Sequence, residues 1–167
     1  MRRDRLRDGV MTVSRAAPDP NRLQRIICKY PEPILKTPKV ALVSFYPLAG
    51  SAESLMIVNL HATLIRLKSA AVEEMEHLLA QLPEHRGPIL LAGDFNTFSP
   101  GYLKAIHSVL KNLSLDYIPI ENDPRPRTQA LDQVFCRGLE IHSIHVDTTI
   151  KNSDHFPIIL SMSCQNP

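Results

Sequence analysis

Several acidic, amide and imidazole side chains stand at the ends of apolar runs along this chain of 167 residues. They are Asn59, His61, Asp94, Asn96, Asp132, Asp154 and His155. In the middle of a sheet such groups would be costly unless they were hydrogen-bonded. At strand ends they can converge on one cleft, which is where α/β sheets usually place their sites. The pattern therefore predicts one polar site assembled from distant parts of the chain.

Asp94 and Asn96 are the first pair that suits a metal or a phosphate. Two residues apart in an extended segment, they point to the same side, and Gly93 before them permits a close backbone approach. A carboxylate and an amide oxygen suit a hard cation such as Mg²⁺. The alternative is an Asx turn that closes the strand before Ser99. The residues alone leave both interpretations open.

The other polar residues also have two interpretations each. Asp154 and His155 suit a metal-binding carboxylate beside an imidazole that acts on phosphate or water, or else a solvated surface loop. Asp132 is a single carboxylate in an apolar run and needs a partner, for which a histidine is natural. His61 shares a strand face with Asn59, and its alternative role is that of a satisfied core histidine.

Hydrophobic periodicity predicts the elements that position these residues. An apolar stripe at helical spacing predicts a helix over residues 66–82, and a second helix is predicted over 101–113. Strands are predicted at 9–15, 26–30, 40–46, 55–61, 88–92, 117–120, 131–136, 139–146 and 156–163. The 55–61 strand is apolar on both faces, which predicts cover on each side. Strands with helical crossovers and a strand-rich end predict an α/β layered fold.

Composition narrows the class of protein. Hydrophobic residues make up 44% and charged residues 22%, which is typical of a folded domain, and no apolar run reaches the length of a membrane span. The three cysteines have no paired spacing, so we expect a reducing compartment such as the cytoplasm. Residues 1–8, with four arginines and two aspartates, account for the net charge of +2 and predict a disordered basic tail. The neutral remainder does not favour a polyanion, although nucleic acid stays an alternative.

Taken in order, four segments resemble the endonuclease/exonuclease/phosphatase superfamily, which has the deoxyribonuclease-I-like fold. They are Asn59-Leu60-His61, Gly93-Asp94-Phe95-Asn96, Asp132-Gln133-Val134-Phe135 and Ser153-Asp154-His155-Phe156-Pro157. They are similar to the N-x-H, G-D-F-N, D-x-[IV]-F and S-D-H-x-P motifs of that family. The resemblance implies a sandwich of two packed mixed sheets flanked by helices. It also implies a Mg²⁺- or Mn²⁺-dependent hydrolase in which water attacks a phosphate ester in line.

The resemblance also implies roles for individual residues. Asp94 and Asn96 would orient the attacking water or the phosphate, His155 would contact the phosphate or act as the base, and Asp132 would orient His155. His61 would act on the phosphate or the leaving group, and Asp154 would bind the metal. The predicted substrate-binding residues are Asn59, Arg125 and Arg127. The two arginines lie in a candidate substrate loop, where the alternative is a solvated side chain.

One departure from the family pattern concerns the N-terminus. Members begin with a strand that carries an Asn and a strand that ends in a metal-binding Glu, both ahead of the segment that matches residues 9–15. Residues 1–8 contain no Glu. We therefore expect residues 9–167 to form an incomplete domain of impaired activity. The alternatives are a longer true protein, a degraded remnant, or a binding module that keeps the scaffold; neither the substrate nor the oligomeric state is indicated.

Overall fold

A computed structural model describes residues 9–33, 36–126 and 131–165, so the predicted tail at 1–8 lies outside the described residues. Within these ranges the chain forms eight strands, two α-helices and two short 3₁₀ turns. The strands are β1 (Gln24–Pro31), β2 (Pro38–Pro47), β3 (Ser54–His61), β4 (Ile89–Asp94), β5 (Asp116–Tyr117), β6 (Asp132–Arg137), β7 (Leu139–Val146) and β8 (Ile158–Cys164). The helices are α1 (Lys68–Gln81) and α2 (Pro100–Leu110), and the 3₁₀ turns are Pro20–Arg22 and Lys111–Leu113.

Among the described residues, six strands form one mixed sheet and two form a smaller one. The large sheet has the order β1-β2-β3-β4-β6-β5, and the hairpin β7-β8 is the second sheet. β3 and β4 are parallel and are joined through α1, whereas the other neighbours in the large sheet are antiparallel. Gly138, at a φ of 66°, turns the chain from β6 into β7 and thus from one sheet to the other. The predicted α/β layered class is confirmed.

The main core lies between the large sheet and the two helices. Alternate strand residues point to the helical side and are fully buried. They include Val43, Phe45, Met56, Val58, Leu60, Ile89, Leu91 and Phe135, which pack against Met75 and Leu78 of α1 and Ile106 and Leu110 of α2. Ser99 caps α2 by accepting a hydrogen bond from the backbone N–H of Tyr102. This layer makes the strands rigid supports for whatever their ends carry.

The opposite face of the large sheet is only partly covered by the described residues. Leu55, Ile57, Asn59 and His61 of β3 are half-buried, so the prediction that this strand is covered on both sides is wrong for them. The hairpin β7-β8 faces β4 and β6 across a groove of about 390 Å³, which is lined by Leu90 and Val134 on one side and by Leu160 on the other. The open face therefore leads directly to the polar ends of β3, β4 and β6.

Most predicted elements agree with the structure, and the differences have local causes. No strand forms at 9–15; instead, Met11 and Thr12 accept hydrogen bonds from the side chain of Asn59. β5 ends at Tyr117, two residues before Pro119, which has no N–H to donate to a ladder. None of the helices within the described ranges is long and apolar enough to span a bilayer.

Candidate active site

Three polar residues occupy one register position across three adjacent strands. His61 of β3 is paired with Asp94 of β4, and Asp94 is paired with Asp132 of β6. Residues paired across neighbouring strands point to the same face of the sheet. We call His61, Asp94 and Asp132 the polar row. It lies at the end of the half-open sheet face, as the sequence predicts for the end of a strand.

Gly93 allows the row to be this tight. Its φ is 141°, and a Cβ atom added there would lie 1.9 Å from the backbone oxygen of Leu60 on the neighbouring strand. Only a residue without a side chain permits that approach. The glycine before Asp94 is therefore a requirement of the strand pairing that brings Asp94 beside His61.

The segment after Asp94 forms the Asx turn that was the alternative interpretation of this pair, and it still leaves one carboxylate oxygen towards the row. The backbone N–H of Asn96 donates to Asp94 Oδ1 at 2.8 Å, while Asp94 Oδ2 lies 3.5 Å from His61 Nε2. Asn96 is in the left-handed region, with a φ of 50°. Its amide donates to the carbonyl oxygen of Ala62 at 2.8 Å, which ties the turn to the end of β3. Asn96 thus shapes the site by fixing two loops.

His155 joins the row through Asp132. Its Nδ1 lies 2.7 Å from Asp132 Oδ2, the distance of a charge-assisted hydrogen bond. The bond orients the imidazole so that Nε2 is directed away from Asp132. The side chain of His155 is 36% exposed and that of Asp132 is 21% exposed, so solvent or a ligand can reach the ring. The structure therefore brings together His61, Asp94, Asp132 and His155.

Arg125 lies behind this pair and not at the surface. Its side chain is 2% exposed and forms a two-pronged ion pair with Asp123, with its Nη2 2.8 Å from Asp123 Oδ2. Its Nη1 donates to the backbone oxygen of Asp132 at 3.3 Å and lies 3.8 Å from Asp132 Oδ2. This burial corrects the prediction that Arg125 contacts substrate. In the structure it supports Asp132 from inside, and Arg127 lies outside the described residues.

Asn59 also has a structural partner in place of the predicted substrate contact. Its amide Nδ2 donates to the backbone oxygen of Met11 at 3.0 Å and to Thr12 Oγ1 at 3.3 Å. These bonds place the segment around Met11 over the open sheet face, two residues below His61 on the same side of β3. Asn59 therefore supports the site by anchoring this segment.

Burial and neighbouring charges shift two pKa values in the site. Burial raises the pKa of Asp94 above its ordinary 3.8, and the negative charge of Asp132 adds to this effect. Burial alone would lower the pKa of His155, but the hydrogen bond and charge of Asp132 outweigh it, so that the pKa lies above 6.5. This environment would favour two kinds of charged ligand: a cation beside Asp94 and a phosphate contacted by His155.

The oxygen donors of this site suit Mg²⁺, which does not need a preformed cage of protein ligands. Among the described residues, no three His, Cys, Asp or Glu side chains are close enough to hold a metal ion. Mg²⁺ keeps several waters and is commonly bound by one or two carboxylates together with substrate phosphate. Asp154 is an exposed carboxylate whose charge reaches His155. Asp94 and Asp132 are adjacent carboxylates of the polar row, and the pKa of Asp94 is raised. A nearby cation would stabilise the charged form of both.

The sequence interpretation missed the role of Glu74 in α1. Its carboxylate is 4% exposed and accepts hydrogen bonds from the backbone N–H of Thr63 at 2.7 Å and of Tyr30 at 3.3 Å. Burial raises its pKa. Glu74 thus anchors the loop that follows His61. Its spacing of four residues from both Ala70 and Leu78 places it on the apolar stripe, and this is the signal that could have identified it.

Comparison with known proteins identifies the family of this chain. Residues 2–155 match the endonuclease/exonuclease/phosphatase family, and the chain belongs to it. A UPF0294 protein of Klebsiella pneumoniae (strain 342) is 36% identical over 165 residues, which are 95% of this chain but 59% of that protein. The chain therefore spans about three-fifths of this curated relative.

Solved structures of low sequence identity share the fold. A conserved protein of unknown function from Enterococcus faecalis V583 superposes with a TM-score of 0.63 at 17% identity, over 85% of this chain and 66% of that one. The endonuclease/exonuclease/phosphatase from Bacteroides vulgatus gives 0.62 at 14% identity, over 85% of this chain and 65% of that one. The predicted family and fold are confirmed.

Proposed function

We propose that the polar row and His155 form the active site of a metal-dependent phosphoesterase, which hydrolyses a phosphate ester by in-line attack of water. The observation that carries the proposal is the convergence of His61, Asp94, Asp132 and His155 from four separate segments on one sheet edge. Family membership supports hydrolysis of phosphate esters as the reaction class. The activity, metal dependence and substrate of the whole protein are part of the proposal.

The geometry supports a different role for each histidine. His155, oriented by Asp132 and raised in pKa, presents Nε2 to a phosphoryl oxygen or to the water proton. His61 lies beside Asp94 with its Nε2 3.5 Å from Oδ2, close enough for both side chains to share one water or one phosphoryl oxygen. Asp94, partly buried and fixed by the N–H of Asn96, accepts a proton from the attacking water or orients it.

A divalent cation, Mg²⁺ or Mn²⁺, would be bound by Asp154 together with the phosphate of the substrate and with water. When bound, it neutralises the negative charge that develops on the phosphoryl group. Asn96 and Asn59 fix the loops around the reacting groups, and Arg125 fixes Asp132.

The test is hydrolysis of bis(p-nitrophenyl) phosphate, a phosphodiester with no recognition features, by the full chain over a titration of Mg²⁺. We expect hydrolysis that depends on Mg²⁺ and is lowered by at least about a hundredfold in His155→Ala. Asp154→Ala should shift the Mg²⁺ dependence to higher concentration. His145→Ala, at an exposed position of β7, is the matched control and should keep the activity. Activity that survives both site substitutions would refute the proposal.

A further inference from the structure

Two apolar grooves share the loop that follows His61. The first, of about 410 Å³, is lined by Leu64, Ile65, Arg66, Phe98, Ser99 and Tyr102. The second, of about 510 Å³, shares Leu64, Ile65 and Arg66 and extends to Leu67 and Tyr30. Small-molecule sites commonly have volumes of about 300–1,000 Å³. We call the first of them the rim groove.

The rim groove lies near the polar row because its walls continue β3 and β4, two of the three strands that carry the row. Leu64 follows His61 by three residues and Phe98 follows Asn96 by two. Consecutive Cα atoms are 3.8 Å apart, so Leu64 lies within roughly 12 Å of His61, and Phe98, four residues after Asp94, lies within roughly 15 Å of it. The Tyr102 hydroxyl donates to the backbone oxygen of Arg66, which ties the wall after β3 to α2. The groove is therefore formed in the folded chain without a ligand.

The lining offers hydrophobic contact and one positive charge. In the rim groove, the large apolar side chain of Phe98 is 44% exposed; the second groove adds Leu67, which is 69% exposed, and the acidic Glu32. The Arg66 side chain is exposed at the edge of both grooves. The Tyr102 hydroxyl is already engaged, so Ser99 and Arg66 are the other polar side chains that line the rim groove. Such a lining binds an aliphatic chain through burial and does not read polar groups.

We propose that the rim groove binds the aliphatic part of the substrate, which makes the substrate an amphiphilic phosphate ester of a long-chain alcohol. This inference rests on the proposed function, because the phosphate would lie at the polar row while the chain lies on Phe98, Ile65 and Leu64. Arg66 at the groove edge attracts the anionic head group.

Nucleic acid fits the same surface less well. Phe98 and Tyr102 are aromatic, but single-stranded nucleic acid also needs a basic track for its backbone. The formal charges of residues 9–167 sum to zero, and Arg66 is the single cationic side chain among the six residues that line the rim groove. An aliphatic chain needs no such track.

The experiment compares the binding of methylphosphonate and octylphosphonate to the full chain by isothermal titration calorimetry, with Mg²⁺ and below the concentration at which octylphosphonate aggregates. Both probes carry the same head group and resist hydrolysis. Burial of only two methylene groups corresponds to roughly tenfold in affinity. We therefore expect octylphosphonate to bind at least about tenfold more tightly than methylphosphonate.

Variants locate the effect within the rim groove. Phe98→Ser and Ile65→Ser, made separately, should lower the ratio of the octylphosphonate and methylphosphonate affinities towards one. Ile159→Ser removes a hydrophobic side chain of the same 44% exposure on β8 and should keep the ratio of the wild type. Cosedimentation with phosphatidate vesicles, lost in Phe98→Ser, would identify a membrane lipid as the source of the chain. Binding of free octylphosphonate without cosedimentation would identify a soluble ester, and both results support the inference.

Two results would overturn the inference and differ in what they say of the proposed function. Equal affinities for the two phosphonates would exclude the chain-binding groove while leaving the phosphate site intact. The same exclusion follows if an oligothymidylate of about eight nucleotides displaces octylphosphonate more effectively than octyl phosphate does. If neither phosphonate binds, the phosphate site itself is wrong and the proposed function fails with it.

Discussion

The two histidine–carboxylate pairs of this site are built differently. His155 Nδ1 lies 2.7 Å from Asp132, whereas His61 Nε2 lies 3.5 Å from Asp94. Asp132 is supported by the buried Arg125, while Asp94 is fixed by the backbone N–H of Asn96. A short hydrogen bond with a supported carboxylate fixes the tautomer and orientation of an imidazole. Under the proposed function, this difference assigns the oriented acid–base role to His155 and a water or phosphoryl oxygen shared by His61 and Asp94 to the longer pair.

The largest expected effect concerns the relative importance of the two pairs. His155→Ala should lower kcat/KM by about 10²–10⁴-fold, because it removes a positioned acid–base group. His61→Ala should cause a smaller loss, since its contact with Asp94 is looser. Steady-state hydrolysis of bis(p-nitrophenyl) phosphate measures both. A greater loss in His61→Ala than in His155→Ala would reverse the assignment of the two pairs.

The next effect tests the strand contact that brings Asp94 beside His61. Gly93→Ala places a Cβ atom 1.9 Å from the oxygen of Leu60 at a φ of 141°, so we expect a loss of about 3 kcal/mol or more in the free energy of unfolding. Gly50→Ala is the matched control, since Gly50 also has a positive φ but no atom near its Cβ position. It should lose roughly 1–2 kcal/mol from backbone strain alone. Urea denaturation measures both, and equal losses would show that the strand contact is not tight.

A smaller effect concerns the support behind Asp132. Arg125→Met removes the cation that pairs with Asp123 and supports Asp132 from inside, and we expect a loss of about 1–3 kcal/mol in the free energy of unfolding. It should also lower kcat more than it raises KM, because Arg125 acts through Asp132 and not on the substrate. Arg15→Met, at an exposed arginine, is the control and should change neither quantity. A rise in KM alone would instead return Arg125 to a substrate-binding role.

The smallest effect is a pH dependence of the free energy of unfolding that arises from the His155–Asp132 pair. The pKa of His155 is raised in the folded protein, so the stabilisation from its protonation is complete below its ordinary value of 6.5 and is lost as the pH rises through the folded pKa. The wild type should therefore exceed His155→Ala in unfolding free energy by more at about pH 5.5 than at about pH 8.5. Urea denaturation of both proteins at the two pH values measures this. A difference that grows with pH would contradict the raised pKa.

The sequence predicts the scaffold better than it predicts the support of the site. Apolar periodicity identifies nearly every element, because the buried face of each strand and helix is written in alternating or helical spacing. The polar row is predictable as polar residues at strand ends. The supporting roles of Arg125 and Asn59 are not predictable from the sequence, because their bonds to Asp132 and Met11 are tertiary contacts that no local pattern encodes. Glu74 lies on the apolar stripe by its spacing, but carboxylates are usually exposed, so the spacing alone does not reveal that it is buried.

The most direct test of a single site is the binding of inorganic phosphate to the full chain, measured by ³¹P NMR titration in the presence of Mg²⁺. If both pairs contact one phosphoryl group, His155→Ala and His61→Ala should each weaken phosphate binding by at least about tenfold, and the exposed His145→Ala should not. Phosphate binding that is unchanged in either His61→Ala or His155→Ala would show that the two pairs do not serve one phosphoryl centre.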